Sequence, residues 1–363
     1  MAVLDIQLSQ TREQLYWNVI RGIAIFLMLW GHCVQFCALD SFPIFDNRVF
    51  LIIYSFHMPL FAFVSGFLFF YSFEKRELKE LLIHRAGSLL WPITSGTVMH
   101  NLLMIIPALI MSPGKQPALF NGELLQGWTG LTWFLWSMLA CGIAVGIAGK
   151  LGTTSLRRSV YLALVCILIA MFPNANESLF LYPFFLIGFL CAKHKLVLRS
   201  ALQKVKYGFL LLFPGLAVFY QAEHLIYITP IRVTDGAFSF ALGLNLYRFS
   251  VGLAGIGCCL VLVELVFRWC VKDRRTPKLL NALYQLGENS LAIYCLSIPL
   301  LSGYLPLIFR KCMEPFGYNL LAENWVIYNL IFTPILAAVY GAGLLAVVKL
   351  LRKAGIHTLI FGR

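Results

Sequence analysis

Arg21 and His32 stand 11 residues apart in one apolar run, Asn18 to Gln35. On a helix, that separation is three turns plus ~20°, so both side chains fall on one face about 16 Å apart along the axis. Asn18 and Gln35 lie on the same stripe. A guanidinium binds phosphate through two parallel hydrogen bonds. A neutral imidazole can take a proton from a hydroxyl near pH 7 and return it to a leaving group. A second histidine, His57, follows in the next apolar run, in Tyr54-Ser-Phe-His57-Met-Pro59. Each residue alone has a plainer explanation. Arg21 could snorkel to headgroups, and either histidine could make an interhelical hydrogen bond. The aligned pair is harder to explain that way.

These residues need long apolar elements to hold them, and the composition supplies them. Of 363 residues, 60% are hydrophobic and 12% charged, with a mean hydropathy of +0.80. A soluble domain is nearer 45–50% and about 25%, so a soluble globular enzyme and a disordered chain are both excluded. The expected fold is an all-α, polytopic integral membrane bundle, read as one domain over 1–363. Apolar runs at 17–38, 50–73, 86–111, 131–149, 159–173, 178–192, 207–222, 237–267, 289–309 and 325–348 give about ten spans, the fifth to seventh short. The first run is long and lacks a small-residue cleavage site, so it reads as a span and not a signal peptide.

The net charge of +13 does not point to nucleic acid once the bases are placed. The N-terminal segment, the loops 74–85, 150–158, 193–206 and 268–288, and the tail from Lys349 hold 22 of the 29 Lys and Arg, and the alternate loops hold 5. This asymmetry predicts that both termini are cytoplasmic, in a multi-pass protein of the plasma (inner) membrane whose basic loops meet anionic lipid. In this orientation His32 lies ~22 Å above the inner surface and His57 ~10 Å below the outer one, nearly one depth in a core ~30 Å thick. Two histidines on consecutive antiparallel helices can then face each other.

A charge within a span costs roughly 2.5 kcal/mol or more, so each needs a reason. Arg248 in the eighth span is expected at a cavity, or on Asn245 or a backbone carbonyl. Glu264, near the inner end, is expected to pair with a loop base. Ser65-Gly66 permits close helix approach, beside a cavity or in plain packing. Trp128…Trp133-Phe-Leu-Trp136 reads as an interfacial belt or a platform for a sugar ring. Arg85, at the foot of the third span, reads as a positive-inside residue or a phosphate ligand. No His/Cys cluster has metal spacing, so no metal is expected.

Arg21-Gly-Ile-Ala-Ile-Phe-Leu-Met-Leu-Trp-Gly-His32 resembles the R-x10-H signature of the membrane-bound acyltransferase-3 family. Phe56-His-Met-Pro-Leu-Phe-Ala-Phe-Val-Ser-Gly66 is similar to the second-helix motif of its branch related to fucose 4-O-acetylases. Arg85 to Trp91-Pro92, Trp133-Phe-Leu135, Tyr182-Pro-Phe-Phe-Leu-Ile-Gly188 and Gly287-Glu-Asn-Ser-Leu-Ala-Ile-Tyr294 extend the likeness along the chain. Two positions depart from the pattern. Asn18 stands where Asp is frequent, and the late Tyr-x-x-His reads Tyr294-Cys-Leu-Ser297, which leaves the chemistry to the first two helices.

The resemblance implies an O-acyltransferase with no permanently bound cofactor. It would move acetyl, or another acyl such as succinyl, from cytoplasmic acyl-CoA to a hydroxyl of a cell-surface or lipid-linked glycan. Arg21 and Arg85 would hold the acyl-CoA phosphates. His32 would be general base or briefly carry the acyl group, and His57 would orient it or donate to the thioester oxygen. Asn18, Gln35, Ser65, Trp133 and Arg248 are the cavity and substrate candidates. The competing class is a polytopic exporter of a glycan or lipid-linked sugar, which also uses intramembrane Arg and His. Against it, there is no visible internal repeat and no acidic residue at the midplane.

Overall fold

Long apolar runs fold here as long helices because no water reaches their backbones and each peptide group must be satisfied within the helix. The computed structural model describes residues 2–39, 43–111, 128–130, 132–152, 154, 174–195, 205–231, 238–272 and 278–362. Among them, numbered in chain order, are α1 (Ala2–Cys37), α2 (Arg48–Lys75), α3 (Leu78–Met111), α4 (Trp133–Leu151), α5 (Ala175–Lys193) and α6 (Phe209–Ala217). Then come α7 (Phe238–Lys272), α8 (Lys278–Glu288), α9 (Ser290–Pro299), α10 (Tyr318–Glu323), α11 (Thr333–Lys353) and α12 (His357–Phe361).

Seven described helical stretches are long and apolar enough to cross a membrane, from Glu13–Cys37 to Ile327–Lys353. They correspond to expected spans 1, 2, 4, 6, 8, 9 and 10. The third expected span lies inside the 34-residue α3, and the fifth falls outside the described residues. The sixth is longer than expected, 19 residues. The seventh is shorter: its helix runs Lys206–Ala217, and the chain then turns through 218–231.

Hydrophobicity gives helices in lipid little reason to associate with one another, so small residues that admit a close backbone decide who packs with whom. Two reciprocal glycine contacts do this. A Cβ on Gly66 of α2 would sit 1.9 Å from the Phe185 carbonyl oxygen of α5, and one on Gly188 of α5 would sit 2.0 Å from the Phe63 carbonyl oxygen of α2. A Cβ on Gly22 of α1 would sit 1.8 Å from the Leu283 carbonyl oxygen of α8, and one on Gly287 would sit 1.8 Å from the Asn18 carbonyl oxygen. The Gly66 approach foreseen from the sequence is therefore real.

The far end of α1 is pinned to the C-terminal helices. Trp30 Nε1 donates to Thr333 Oγ1 at 3.0 Å and Tyr328 Oη to the Val34 carbonyl at 2.7 Å. Asn47 opens α2, accepting from the Phe50 N–H at 3.1 Å while its own amide donates to Asn329 Oδ1 at 2.8 Å. At the opposite end Glu264 pairs with Lys206, Nζ to Oε1 2.8 Å, as expected for a loop base.

Candidate active site

A cavity and a cluster of polar side chains lie along α1 and α2. The first is a cavity of about 280 Å³ toward the end where α2 passes into α3, which begins at Leu78, so that most of the expected basic loop 74–85 is helix; the cavity is lined by α1, α2, α3, α4 and α9. Its wall brings together Arg21, Arg85, His84 and the hydroxyls of Ser65, Ser72, Ser88 and Ser290. Arg21 does not run out along the lipid. Its guanidinium donates to Ser290 Oγ on α9 and, at 3.4 Å, to Asn18 Oδ1 one turn below. Arg85 lies two turns inside α3. It donates from Nη2 to the Met138 carbonyl at 2.9 Å and sits 5.3 Å from the Phe69 ring centroid. The space for it comes from Gly142, where a Cβ would stand 2.7 Å from Arg85 Nε. Two guanidinium groups and a fringe of hydroxyls suit an anion with several oxygens.

The second feature is the cluster around the histidines. His57 is buried and its Nδ1 lies 2.8 Å from the Ile53 carbonyl. A carbonyl only accepts, so Nδ1 carries the proton and Nε2 offers a lone pair. His32 Nδ1 lies 3.2 Å from Gln35 Oε1 and 3.1 Å from Tyr54 Oη. The Tyr54 ring sits between the histidines, its centroid 6.1 Å from that of His32 and 4.8 Å from that of His57. The depth match expected from spacing is thus realised around a shared tyrosine. Tyr227, 45% exposed, meets Tyr54 edge-on at 6.0 Å between centroids.

Three rings stand at the histidine end of the cavity. Ile25, Phe61, Phe134 and Tyr294 are the cavity residues nearest the histidine end on their respective helices. Phe134 touches both its aromatic neighbours, 5.5 Å from Phe61 and 5.9 Å from Tyr294 between centroids. His57 is one turn, about 6 Å, beyond Phe61, and His32 about two turns, ~10 Å, beyond Ile25. Arg21 therefore lines the cavity and His32 does not, and the three rings stand on the histidine side of its lining.

Of the other sequence candidates, Asn18 and Ser65 belong with Arg21, and Gln35 belongs with His32. Trp133 is half-buried against the core and does not line the cavity, although its neighbours Phe134 and Leu135 do. Its companion Trp136 is buried and donates to the Trp128 carbonyl at 2.9 Å.

Arg248 corrects the expectation of a cavity role. It is 0% exposed, and its guanidinium donates to Asn245 Oδ1 and to the carbonyls of Glu223, His224, Leu225 and Thr229 at 2.7–3.2 Å. It ties the turn after α6 to α7. Burial first, and the nearby guanidinium to a lesser extent, hold His224 in that turn below its ordinary range, against the pull of Glu223. Arg248→Met strips donors from four carbonyls at 1–3 kcal/mol for each left unsatisfied. The expected loss is about 3 kcal/mol or more of stability with unchanged acyl-CoA affinity in the folded fraction, and thermal unfolding in detergent reads it.

Sequence reasoning passed over Tyr54, Ser290 and His84. Ser290 sits inside a motif stretch and Tyr54 two residues before one, but neither carries a charge. His84 reads as part of a solvated basic loop until the cavity is seen beneath it.

Comparison with known proteins agrees with this architecture. The acyltransferase domain family, Acyl_transf_3, matches residues 14–348, and the chain belongs to it. It is a multi-pass membrane protein. Among its relatives are two nodulation proteins NolL. That of Mesorhizobium japonicum is 26% identical over 187 residues, 50% of this chain and 48% of that protein. That of Sinorhizobium fredii is 28% identical over 185 residues, 49% and 48%. The chain spans about half the length of the curated relatives it matches. No solved structure matches it.

Proposed function

We propose that this member of the acyltransferase family is an O-acyltransferase that takes acetyl from acetyl-CoA on the cytoplasmic side of the plasma (inner) membrane and places it on a hydroxyl of a cell-surface or lipid-linked glycan. The observation that carries this reading is the pairing of an arginine cavity with a histidine cluster along α1 and α2, with Arg85 added from α3. Arg21 and Arg85 hold the donor's phosphates, with His84 and the serines beside them. For the thioester end to reach His32, the side chains of Phe61, Phe134 and Tyr294 have to turn aside. The acceptor hydroxyl approaches from the Tyr227 side and loses its proton to His32 Nε2 as its oxygen attacks the thioester carbonyl. The C–S bond breaks, and the CoA thiolate leaves with that proton as free thiol. Neutral His57 holds its proton on Nδ1 toward Ile53, so we assign it to supporting Tyr54 and not to donating to the thioester oxygen.

Labelled acetyl-CoA tests the reading. A transferase releases free CoA and labels the glycan; an exporter moves the glycan across unchanged, and that result would end the proposal. For the donor site, charge-assisted hydrogen bonds contribute about 1.5–3 kcal/mol each. Arg21→Ala and Arg85→Ala are each expected to raise KM for acetyl-CoA roughly 10- to 100-fold at a normal amount of folded protein. An unchanged KM in both would remove the phosphates from this cavity.

A further inference from the structure

We infer that Tyr54 is a positioning residue that sets the tautomer and aim of His32; this rests on the catalytic place proposed for His32. The argument begins with one proton. A tyrosine hydroxyl donates once, and Gln35 Oε1 only accepts. Tyr54 Oη lies 3.3 Å from Gln35 Oε1 and 3.1 Å from His32 Nδ1, and Nδ1 lies 3.2 Å from the same Oε1. All three contacts are satisfied together when His32 carries its proton on Nδ1, shared between the two oxygens, and the Tyr54 hydroxyl donates to Gln35. A bare Nδ1 would leave two lone pairs facing at 3.2 Å. The proton on Nδ1 leaves Nε2 unprotonated, the form that can receive a hydroxyl proton. When that proton arrives, the same two oxygens face the imidazolium.

The seat of Tyr54 is built for this. Its ring lies against α1 where there is no side chain: a Cβ on Gly31 would be 2.8 Å from Tyr54 Cε2. Phe50 stacks on it at 4.0 Å between centroids, with 29° between planes. The glycine beside His32 is thus the gap that lets a helix-2 phenol reach a helix-1 imidazole. The hydroxyl moves no substrate atom itself. Its effect is on the orientation of a base, and a misoriented or wrongly tautomeric histidine costs about 10²-fold or more in rate.

The experiment compares the wild-type chain, Tyr54→Phe, Gly31→Ala and His32→Ala in native membranes, with labelled acetyl-CoA as probe and transfer to the glycan fraction as readout. Rates are taken over a range of acetyl-CoA and divided by the amount of folded protein. Tyr54→Phe keeps the ring and its stacking, so it is expected to lower kcat roughly 10- to 100-fold with KM for acetyl-CoA within about twofold. Gly31→Ala, which displaces the ring, is expected to do the same. An inactive His32→Ala with Tyr54→Phe at the wild-type kcat per folded protein overturns the positioning role alone. His32→Ala at the wild-type rate overturns the catalytic reading beneath it.

Discussion

His32→Ala is expected to cut acetyl transfer to the glycan by roughly 10²- to 10⁴-fold, the range in which a positioned general base acts. The fold should survive. His32 is only partly buried, and its polar contacts are to Gln35, one turn on, and Tyr54, whose hydroxyl keeps Gln35 as partner. The far end of α1 is held by other groups, Trp30 on Thr333 and Tyr328 on the Val34 carbonyl. The loss should therefore appear in kcat and not in protein level or KM for acetyl-CoA, because Arg21 and Arg85 lie in a separate cavity behind Phe134. His32→Gln offers hydrogen bonds but no base and should be as slow. Undiminished labelling by either variant would take the proton transfer away from this residue.

Much of this arrangement is legible from spacing, because helix geometry is periodic and a charge in hydrocarbon demands a reason. The Arg21–His32 face, the shared depth of His32 and His57 and the Gly66 approach all come from counting residues along α1 and α2. Counting fails where the chain leaves the helix. The segment after Ala217 reads as the end of a span and an outer loop, yet its turns bring four carbonyls around Arg248. No periodicity announces a carbonyl cage, so the sequence leaves Arg248 between a cavity and a bond to Asn245 or a carbonyl, and the turns decide for the second. Aromatic side chains fail for another reason. Phe61, Phe134 and Tyr294 are ordinary residues of apolar helices, and only the packing of α2, α4 and α9 makes them one wall. The glycines lie between these cases. Gly22, Gly66, Gly188 and Gly287 are visible in motif stretches, but the sequence does not say that they meet in reciprocal pairs.

Gly22→Ala gives the second large effect, and a single methyl group causes it. The new Cβ would stand 1.8 Å from the Leu283 carbonyl oxygen, 2.6 Å from its carbon and 3.0 Å from its Cα. These are backbone atoms of a helix, so no side chain can turn aside. Helices α1 and α8 must separate, and the matching contact, where a Cβ on Gly287 would be 2.9 Å from the Gly22 nitrogen, opens with them. Overpacking of this kind costs about 1–3 kcal/mol and occasionally more. Arg21 immediately precedes Gly22, and its partner Ser290 lies three residues after Gly287. The separation that relieves the clash therefore also pulls the guanidinium from its hydroxyl and widens the donor cavity. Gly22→Ala is accordingly expected to lower the melting temperature in detergent and to raise KM for acetyl-CoA in the protein that remains folded. Gly343→Ala is the control: it is in α11 with nothing within 4 Å of its added Cβ, and it should be neutral or slightly stabilising by helix propensity. Equal melting of the two variants would mean that the α1–α8 contact tolerates a side chain, and the reciprocal glycines would then not be what brings Arg21 to Ser290.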